Sequence, residues 1–515
     1  MAYPMQTKIP SELTQNASGV VVPRVVLSAA ARLASNVLSK SCPYSIALVM
    51  AFAQVGCTVV GPNYTPPNTK ITPARYLASD EVKNAPNGPL LITQWQQVFD
   101  DAVLCDLLQH ALSNNLDLSI AIARLQQARA LQAVQEEATG PTVDFDTEVS
   151  EDKLSKDSEL YANIPSTPGV KTQFLNTQIG FDASWEIDLF GFNRRQTEAA
   201  QARSASTAEH VNDVRLSLGA EVTRNYLELR TWQQRQQLAQ TQLQDWDTEI
   251  AIAQQAVQRG ERAKIDLERM QIARTNFAAT LPSMVLSERQ NEAVLSVLTV
   301  LPLADLQAML QALSPLPSVP AAPTAGLPGD LLQHRPDIRS AERDLAAANA
   351  DVGAATAAKY PRLSLLGNGG WASVNGTSVL GNASALWNFG PSLSVPLFNS
   401  GRLDNQQKAS EAALQIAQAN YRKIVIAAVS EVEVALTRMA RNEDQRAQLL
   451  QAQDQQQRIL ARTQAQFNEG DVSRITLLDA QRALNTQEDQ TLQAQSHSLT
   501  ALIALYKALG GGWAE

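Results

Sequence analysis

The second half of this chain repeats the first, and this duplication restricts the folds that the chain can adopt. The segment Val257–Gln271, VQRGERAKIDLERMQ, matches Phe467–Gln481, FNEGDVSRITLLDAQ, about 210 residues later. IDLFGFNRR matches VPLFNSGRL at nearly the same offset. A period this long indicates a duplicated unit of several secondary-structure elements rather than a solenoid of short repeats.

The duplication predicts the domain organisation of all 515 residues. A Pro-rich segment, LSPLPSVPAAPTAGLPGD, separates the repeats as an extended linker. Each repeat is expected to contain a helix, two strands, a very long helix, a Gly-containing turn and a second helix. The predicted segments are a leader at 1–56, the first repeat at 57–312, the linker at 313–330 and the second repeat at 331–515.

Alternating apolar and polar residues predict four strands, two in each repeat. The alternation is complete in Gln178–Leu189 and recurs in Trp387–Leu397 and Val143–Val149, whereas the pattern that begins at Leu363 is weaker. Aromatic side chains fall on the apolar face and carboxylates on the polar face. This pattern is typical of membrane strands with one face to lipid and one to a lumen. A soluble sandwich is disfavoured because no other apolar segment could pack under the strands.

Four membrane strands cannot form a closed structure within one chain, because roughly eight strands are the working minimum for a barrel. An open sheet edge in lipid would leave backbone groups without hydrogen bonds. Several chains must therefore share one barrel. Two chains would supply eight strands and three would supply twelve, and the residues alone leave that number open.

Two long segments predict unusually long helices. Gln196–Arg259 contains no Pro and one Gly, and Arg402–Glu469 contains neither. At 1.5 Å per residue each helix would extend roughly 95–100 Å, which indicates a coiled coil or a helical tube. The apolar seam of the second helix consists of Leu414, Tyr421, Val425, Ala428, Val432, Ala435 and Met439. A solid bundle stays open as an alternative, because polar faces do not by themselves indicate a channel.

In each repeat a predicted strand runs directly into a long helix, with no turn recognisable between them. WEIDLFGFNRRQTEAAQA changes from a period of two to a helical period, and SVPLFNSGRLDNQQKASEA does the same. Gly191, Asn193, Asn399 and Gly401 are the residues expected to let the chain bend there. The prediction is a continuous wall without a loop.

Composition argues against nucleic-acid binding and catalysis. The net charge is -9, and no stripe of Lys and Arg with interleaved aromatic residues occurs, so no nucleic-acid partner is expected. The four histidines are scattered. Since no nucleophile–base pair, phosphate loop or metal-ligand spacing stands out, we expect no enzymatic activity and no cofactor or metal.

The N-terminal region predicts a lipoprotein signal. The apolar run CPYSIALVMAFAQVGC ends at Cys57 and is too short for a membrane-spanning helix. VGC resembles a bacterial lipobox, in which the signal is cut before a cysteine that receives a lipid. Gln54 departs from the usual Leu of that motif. Cys57 is therefore the predicted lipid anchor, and an ordinary buried cysteine is the alternative.

Several motifs occur in one order over most of the chain: GCTVVGPNYTPP, SWEIDLFG, LPGDLLQHRPDIRSAERDLAAANADVGAATAAKYPRLSL, VPLFNSGR, GDVSRITLLDAQRAL and YKALGGGW. Through these motifs the chain resembles the outer membrane factor family, which comprises the TolC-like channels. The resemblance is greatest to the lipoprotein branch of the OprM and NodT type. The resemblance implies an α+β membrane protein with a tandem-duplicated TolC-like fold. Four transmembrane strands per chain would make a twelve-stranded barrel in a homotrimer, above long periplasmic coiled-coil helices.

The same resemblance implies a function in transport. Such a protein is the outer membrane channel of a tripartite efflux pump in a Gram-negative bacterium, a passive exit duct for drugs or other small toxic compounds. Its partners would be outer membrane lipid, a periplasmic adaptor (membrane fusion) protein and an inner-membrane transporter of the RND type. A type I protein-secretion duct of the same architecture is the alternative. A periplasmic coiled-coil scaffold without a channel is disfavoured by the aromatic faces of the strands.

The resemblance also assigns roles to residues in the two turns between helices. Gly260 and Gly470 would lie at the periplasmic end, where the adaptor binds. In the second turn Phe467 takes an aromatic position, Ile475 an apolar gate position and Asp479 the position of a gate carboxylate.

The first turn departs from this pattern. Val257 replaces the aromatic residue, Arg269 stands at the place of Asp479, and Asp266 lies one turn earlier. An acidic constriction made by both turns is therefore not expected.

Overall fold

The computed structural model describes residues 59–67, 72–78, 99–153, 155, 173–320, 328–374 and 379–511. Within Val59–Glu515, which forms one unit, the elements follow the predicted order of two repeats. The leader at 1–56 and Cys57 lie outside the described residues.

The first repeat contains six helices and two strands among the described residues. They are α1 (Ala102–Asn114), α2 (Leu116–Glu137), β1 (Thr142–Lys153), β2 (Gln173–Ile187), α3 (Phe192–Gln258), α4 (Lys264–Ala278), α5 (Leu281–Thr299) and α6 (Leu303–Leu310). The elements of the second repeat are α7 (Leu331–His334), α8 (Pro336–Ala357), β3 (Arg362–Ser373), β4 (Ala385–Ser394), α9 (Arg402–Glu469) and α10 (Arg474–Ala508). None of the described helices is by itself long and apolar enough to cross a membrane, although the bent pair Lys264–Thr299 with Leu303–Leu310 meets that criterion jointly.

Local sequence explains where the helices start. Asn115 caps α2, because its side-chain oxygen accepts a hydrogen bond from the backbone N–H of Leu118 at 2.9 Å. Ser473 caps α10 in the same way through the N–H of Thr476 at 3.2 Å. Pro336 opens α8, where its missing N–H is not needed by the helix.

The four strands form one antiparallel sheet in the order β1-β2-β3-β4, so all four predicted strands are confirmed. Residues opposite each other in an antiparallel sheet point to the same face. One register row consists of Asp144, Asp182, Asn368 and Asn388. The next row consists of Phe145, Phe181, Gly369 and Trp387. The alternation along each strand therefore produces one polar and one apolar face across the whole sheet.

The outer edges of this sheet belong to β1 and β4. Within the described residues each of these strands pairs with one neighbour only, β1 with β2 and β4 with β3. The apolar face is open as well, since Trp387 and Phe389 on β4 are 82% and 69% exposed. The described part of the chain thus leaves both an apolar face and two backbone edges uncovered.

The long helices have the predicted extent. α9 spans the 68 residues from Arg402 to Glu469, as predicted, and α3 spans 67 residues but starts at Phe192 rather than Gln196. Each is therefore about 100 Å long. Of the predicted seam of α9, Leu414 is partly buried and the other six residues are buried. The seam packs in the core against α8 and α10.

The two repeats differ after the first hairpin. One second helix per repeat was predicted, and this is correct for α10, which runs unbroken for 35 residues. It is wrong for the first repeat, where a break at Thr280 separates α4 from α5. Pro282 stands in the first turn of α5. Because proline has no N–H and clashes with the preceding turn, a helix cannot continue through this position without distortion.

A buried arginine fixes the extra helix α6 to α3. Arg230 donates through Nη1 to the carbonyl oxygens of Leu310 and Ala312, at 3.0 and 2.8 Å, and through Nε to the hydroxyl of Tyr226 at 3.2 Å. Tyr226 in turn donates to the carboxylate of Asp101 at 2.6 Å. The cation thus satisfies carbonyl groups at the C-terminal end of α6, where helices lack backbone donors.

Each strand-to-helix junction turns at a glycine. Gly191 (φ 83°) and Gly401 (φ 78°) precede α3 and α9 in the left-handed conformation, which confirms two of the predicted bend residues. Asn193 is not one of them, because it lies buried inside α3. The expectation of a junction without a loop is also wrong: residues 188–191 and 395–401 are neither strand nor helix. The extended backbone changes to a helix through a left-handed glycine, and the connecting residues before that glycine belong to neither element.

The junction glycines predict a graded loss of stability on substitution by alanine. Gly401→Ala should cost about 1 kcal/mol through its positive φ. Gly191→Ala should cost more, because a Cβ there would lie 2.6 Å from Cγ1 of Val59. Gly369→Ala is the control, since its Cβ would meet nothing within 4 Å. Thermal unfolding in detergent, followed by circular dichroism, should give the highest midpoint for Gly369→Ala, a lower one for Gly401→Ala and the lowest for Gly191→Ala. Equal midpoints would contradict the role of Gly191 and Gly401 as the residues that turn the chain.

Candidate functional site

The two helical hairpins end in turns of the same geometry. Gly260 (φ 72°) and Gly470 (φ 85°) are both left-handed. In both turns the glycine N–H bonds to the carbonyl three residues earlier, at 3.0 and 3.1 Å, and the next N–H bonds to the carbonyl five residues before it, at 2.9 Å. This is a Schellman motif, which closes a helix C-terminus. A Cβ at either glycine would meet nothing within 4 Å, so both hairpin ends are open surfaces.

A charged cluster lies close behind the second hairpin end. Arg482 on α10 bonds through Nη1 to the carboxylate of Glu249 on α3 and through Nη2 to that of Asp479. Its guanidinium carbon lies 3.9 Å from the ring centroid of Trp246, within the range of a cation–π interaction. The side chain of Arg482 is 15% exposed and that of Glu249 is 4% exposed. We call Trp246, Glu249, Asp479 and Arg482 the latch.

A second contact extends the latch by one helical turn. Asn485 on α10 donates to the carboxylate of Asp245 on α3 at 3.1 Å, and its own carbonyl oxygen accepts from Gln481 at 2.9 Å. Asn485 is buried. The latch and this contact together join α3 of the first repeat to α10 of the second repeat near the hairpin ends.

Burial changes the pKa of the carboxyl groups in and beside the latch. Desolvation raises the pKa of Glu249, and Arg482 opposes this rise. Desolvation likewise raises the pKa of Asp245, against the bond from Asn485 and the charge of Arg482. Arg482 is therefore the cation that compensates the buried carboxylate of Glu249. Removing one partner of a buried ion pair is strongly destabilising, by about 3–5 kcal/mol, because the other charge stays buried.

The predicted gate residues occupy different positions in this arrangement. Asp479 has a side chain that is 57% exposed and belongs to the latch through Arg482. Ile475 lies in the first turn of α10 and Phe467 in the last turn of α9, and both are half-buried. On the first hairpin, Arg269 takes the place of Asp479 and lies 3.9 Å from Asp266.

Sequence reasoning missed three residues of the latch. Arg482 follows Asp479 by three positions, which is the spacing of neighbours on a helix surface and could have indicated the pair. Trp246 and Glu249 lie on α3, more than 200 residues earlier in the chain. Their contribution depends on how α3 packs on α10, which no local pattern indicates. Within the described residues no group of three or more His, Cys, Asp and Glu side chains could hold a metal ion.

Comparison with known proteins assigns the family. Residues 107–298 and 327–511 match the family described as "Outer membrane efflux protein". The chain belongs to this family. The two matched segments are separated by residues 299–326.

Individual relatives agree with this assignment. The chain is 31% identical over 477 residues to the antibiotic efflux pump outer membrane protein ArpC of Pseudomonas putida, covering 91% of this chain and 95% of ArpC. It is 30% identical over 419 residues to the solvent efflux pump outer membrane protein SrpC of the same species, covering 81% of this chain and 87% of SrpC. The solved structure of the outer-membrane channel OprN superposes with a TM-score of 0.77 at 31% identity, covering 88% of this chain and 99% of OprN.

These findings confirm the TolC-like fold and the function as an outer membrane efflux channel. The relatives are channel proteins of the outer membrane of Gram-negative bacteria. The family assignment also fits the sheet geometry, in which one face is polar and the other is apolar and exposed.

The latch predicts a local effect of Arg482→Ala. Without the guanidinium, the buried Glu249 loses its ion-pair partner and keeps only the weaker influence of Arg262, so the start of α10 should separate from α3 more often. Amide hydrogens of residues 474–485 should then exchange at least about tenfold faster in the purified protein, as measured by mass spectrometry. Arg458→Ala is the control, because Arg458 is exposed and, among the described residues, forms its ion pair with Asp454 on its own helix. Unchanged exchange in Arg482→Ala would contradict the role of the latch.

Proposed function

We propose that three copies of this protein form the outer membrane exit duct of a tripartite efflux pump, through which drugs, solvents or other small toxic compounds leave the cell. The observation that carries this proposal is the four-stranded sheet with two open edges, followed in each repeat by a helix about 100 Å long. The names of the relatives, which transport antibiotics or solvents, support this class of cargo.

Sheet closure supports the trimer. β4 of one copy would pair with β1 of the next, so that three copies give twelve strands and leave no edge in lipid. The apolar face with Phe181, Trp387 and Phe389 would contact lipid, and the face with Asp144 and Asp182 would line the lumen. The long helices would continue this wall as a tunnel across the periplasm.

The hairpin ends are proposed as the contact with the rest of the pump. Gly260 and Gly470 would lie at the periplasmic end and meet a periplasmic adaptor protein, which connects the duct to an inner-membrane transporter of the RND type. Two open turns of the same geometry support this assignment. The duct itself has no energy source in this scheme, so the inner-membrane partner drives transport.

The latch is proposed to keep the channel constriction closed. Ile475 and Asp479 on α10 would face the pore, with Phe467 of the preceding turn beside them. Arg482 connects Asp479 to the buried Glu249, so opening would require α10 to move away from α3 and lose this interaction. A ring of three Asp479 carboxylates near the axis would favour cations.

This gate assignment predicts a more conductive channel when Asp479 is removed. Asp479→Ala, alone or combined with Ile475→Ala, should raise the conductance of the channel several-fold in planar bilayers, because Arg482 loses one partner and the constriction loses its charge and its apolar side chain. Asp454→Ala removes an equally exposed carboxylate from α9 and should leave the conductance unchanged. Unchanged conductance in the double variant would remove the gate assignment.

Cys57 is proposed as a lipid anchor. The apolar run before it supports this, and so does the position of Val60, whose N–H bonds to the carbonyl of Phe190 at the strand-to-helix junction at 3.1 Å. Growth in the presence of radioactive palmitate should label the full-length protein, whereas Cys57→Ser should not be labelled. Cys105→Ser is the control and should be labelled normally. Labelling of Cys57→Ser would exclude the anchor.

The function is tested in a strain that lacks this gene. The strain should become more sensitive to antibiotics, dyes or organic solvents, and the intact gene should restore resistance. Unaltered resistance together with the loss of a secreted protein would instead favour a type I secretion duct.

A further inference from the structure

The two hairpin ends share one backbone geometry but carry opposite charges at matched positions. We call Val257–Gln271 the basic tip and Phe467–Gln481 the acidic tip. Aligned on their glycines, Arg259 corresponds to Glu469 and Arg269 to Asp479. The same backbone turn therefore occurs twice, and the charge has the opposite sign at two matched positions.

The numbers of charged residues also make the first tip more basic than the second. The basic tip contains four basic and three acidic residues, and the acidic tip contains one basic and three acidic residues. The basic side chains of the first tip reach solvent, since Lys264 is 80% exposed and Arg269 is 73% exposed. Glu469 and Asp471 of the acidic tip are exposed as well.

Ion pairs within the tip engage all three carboxylates of the basic tip. Each of its three acidic residues has a basic neighbour within that tip: Glu261 with Arg259 at 3.0 Å, Glu268 with Lys264 at 3.6 Å, and Asp266 with Arg269 at 3.9 Å.

In the acidic tip Asp479 is engaged by Arg482 of the latch. Among the ion pairs found in the described part of the chain, none includes Glu469 or Asp471. The first tip is thus a surface with surplus cationic charge, and the second has uncompensated anionic charge.

We infer that the two tips bind different surfaces of the adaptor: the basic tip binds a helical-hairpin end that carries acidic side chains, and the acidic tip binds one that carries basic side chains. This inference rests on the proposed function, and it specifies the chemistry of the partner. Charge complementarity selects partners, because like charges in contact repel. Three chains would place six tips of alternating sign around the rim, and each sign would select its own complementary surface of the adaptor.

The test uses the full-length channel in lipid nanodiscs and two synthetic helical-hairpin peptides that differ only in their turn, which carries either four Glu or four Lys. A photo-crosslinking amino acid replaces Gln258 or Asn468, which are matched and exposed positions beside the two glycines. The Glu hairpin should crosslink about tenfold more at position 258 than at 468, and the Lys hairpin should show the reverse. Both preferences should disappear at 1 M salt, where the screening length is about 3 Å.

Charge inversion supplies the matched controls. Arg259→Glu with Arg269→Glu should abolish the preference of the Glu hairpin for position 258 and leave crosslinking of the Lys hairpin at 468 intact. Glu469→Arg with Asp471→Arg should do the converse. Equal crosslinking of both hairpins at both positions, or a preference that survives charge inversion, would overturn the inference. Conductance of the unmodified channel is measured separately, so that failure of the proposed function remains distinguishable from failure of this inference.

Discussion

The backbone hydrogen bonds at the two edges of the sheet constrain everything else in this structure. β1 and β4 each have one neighbouring strand within the described residues, and an edge in hydrocarbon would cost several kcal/mol for each unpaired group. In the proposed channel, copies of the chain pair edge to edge and so satisfy these groups. Pairing of this kind would direct Asp144 and Asp182 toward an enclosed space and Phe181 and Trp387 toward lipid, which is the arrangement that an outer membrane channel requires.

Duplication supplies the helices that would extend this wall into the periplasm. Each pair of strands is followed by a left-handed glycine and then by one very long helix, α3 or α9, so every copy contributes two strand-to-helix connections. The repeats are joined again at the far end, where Arg482 of the second repeat reaches Glu249 of the first. The two hairpin ends differ in charge, although Gly260 and Gly470 have the same Schellman geometry.

Much of this fold could be predicted from the sequence because its signals are local and periodic. Alternation indicated the strands, and the absence of Pro and Gly gave the limits of α9. The latch could not be predicted, since Trp246 and Glu249 meet Arg482 only through packing between repeats. The break before α5 has a local signal in Pro282, but the expectation that both repeats continue alike left this signal out of account. Asn193 was misassigned because one glycine is enough to turn the chain at the first junction.

The number of chains in the particle tests the account most directly. Native mass spectrometry of the protein extracted gently from the outer membrane should show three copies per particle. Replacing edge residues of β1 and β4 by proline should reduce that number, because proline cannot donate a hydrogen bond across the junction between copies. A stable monomer that retains all four strands in the membrane would contradict the requirement that separate chains close the sheet.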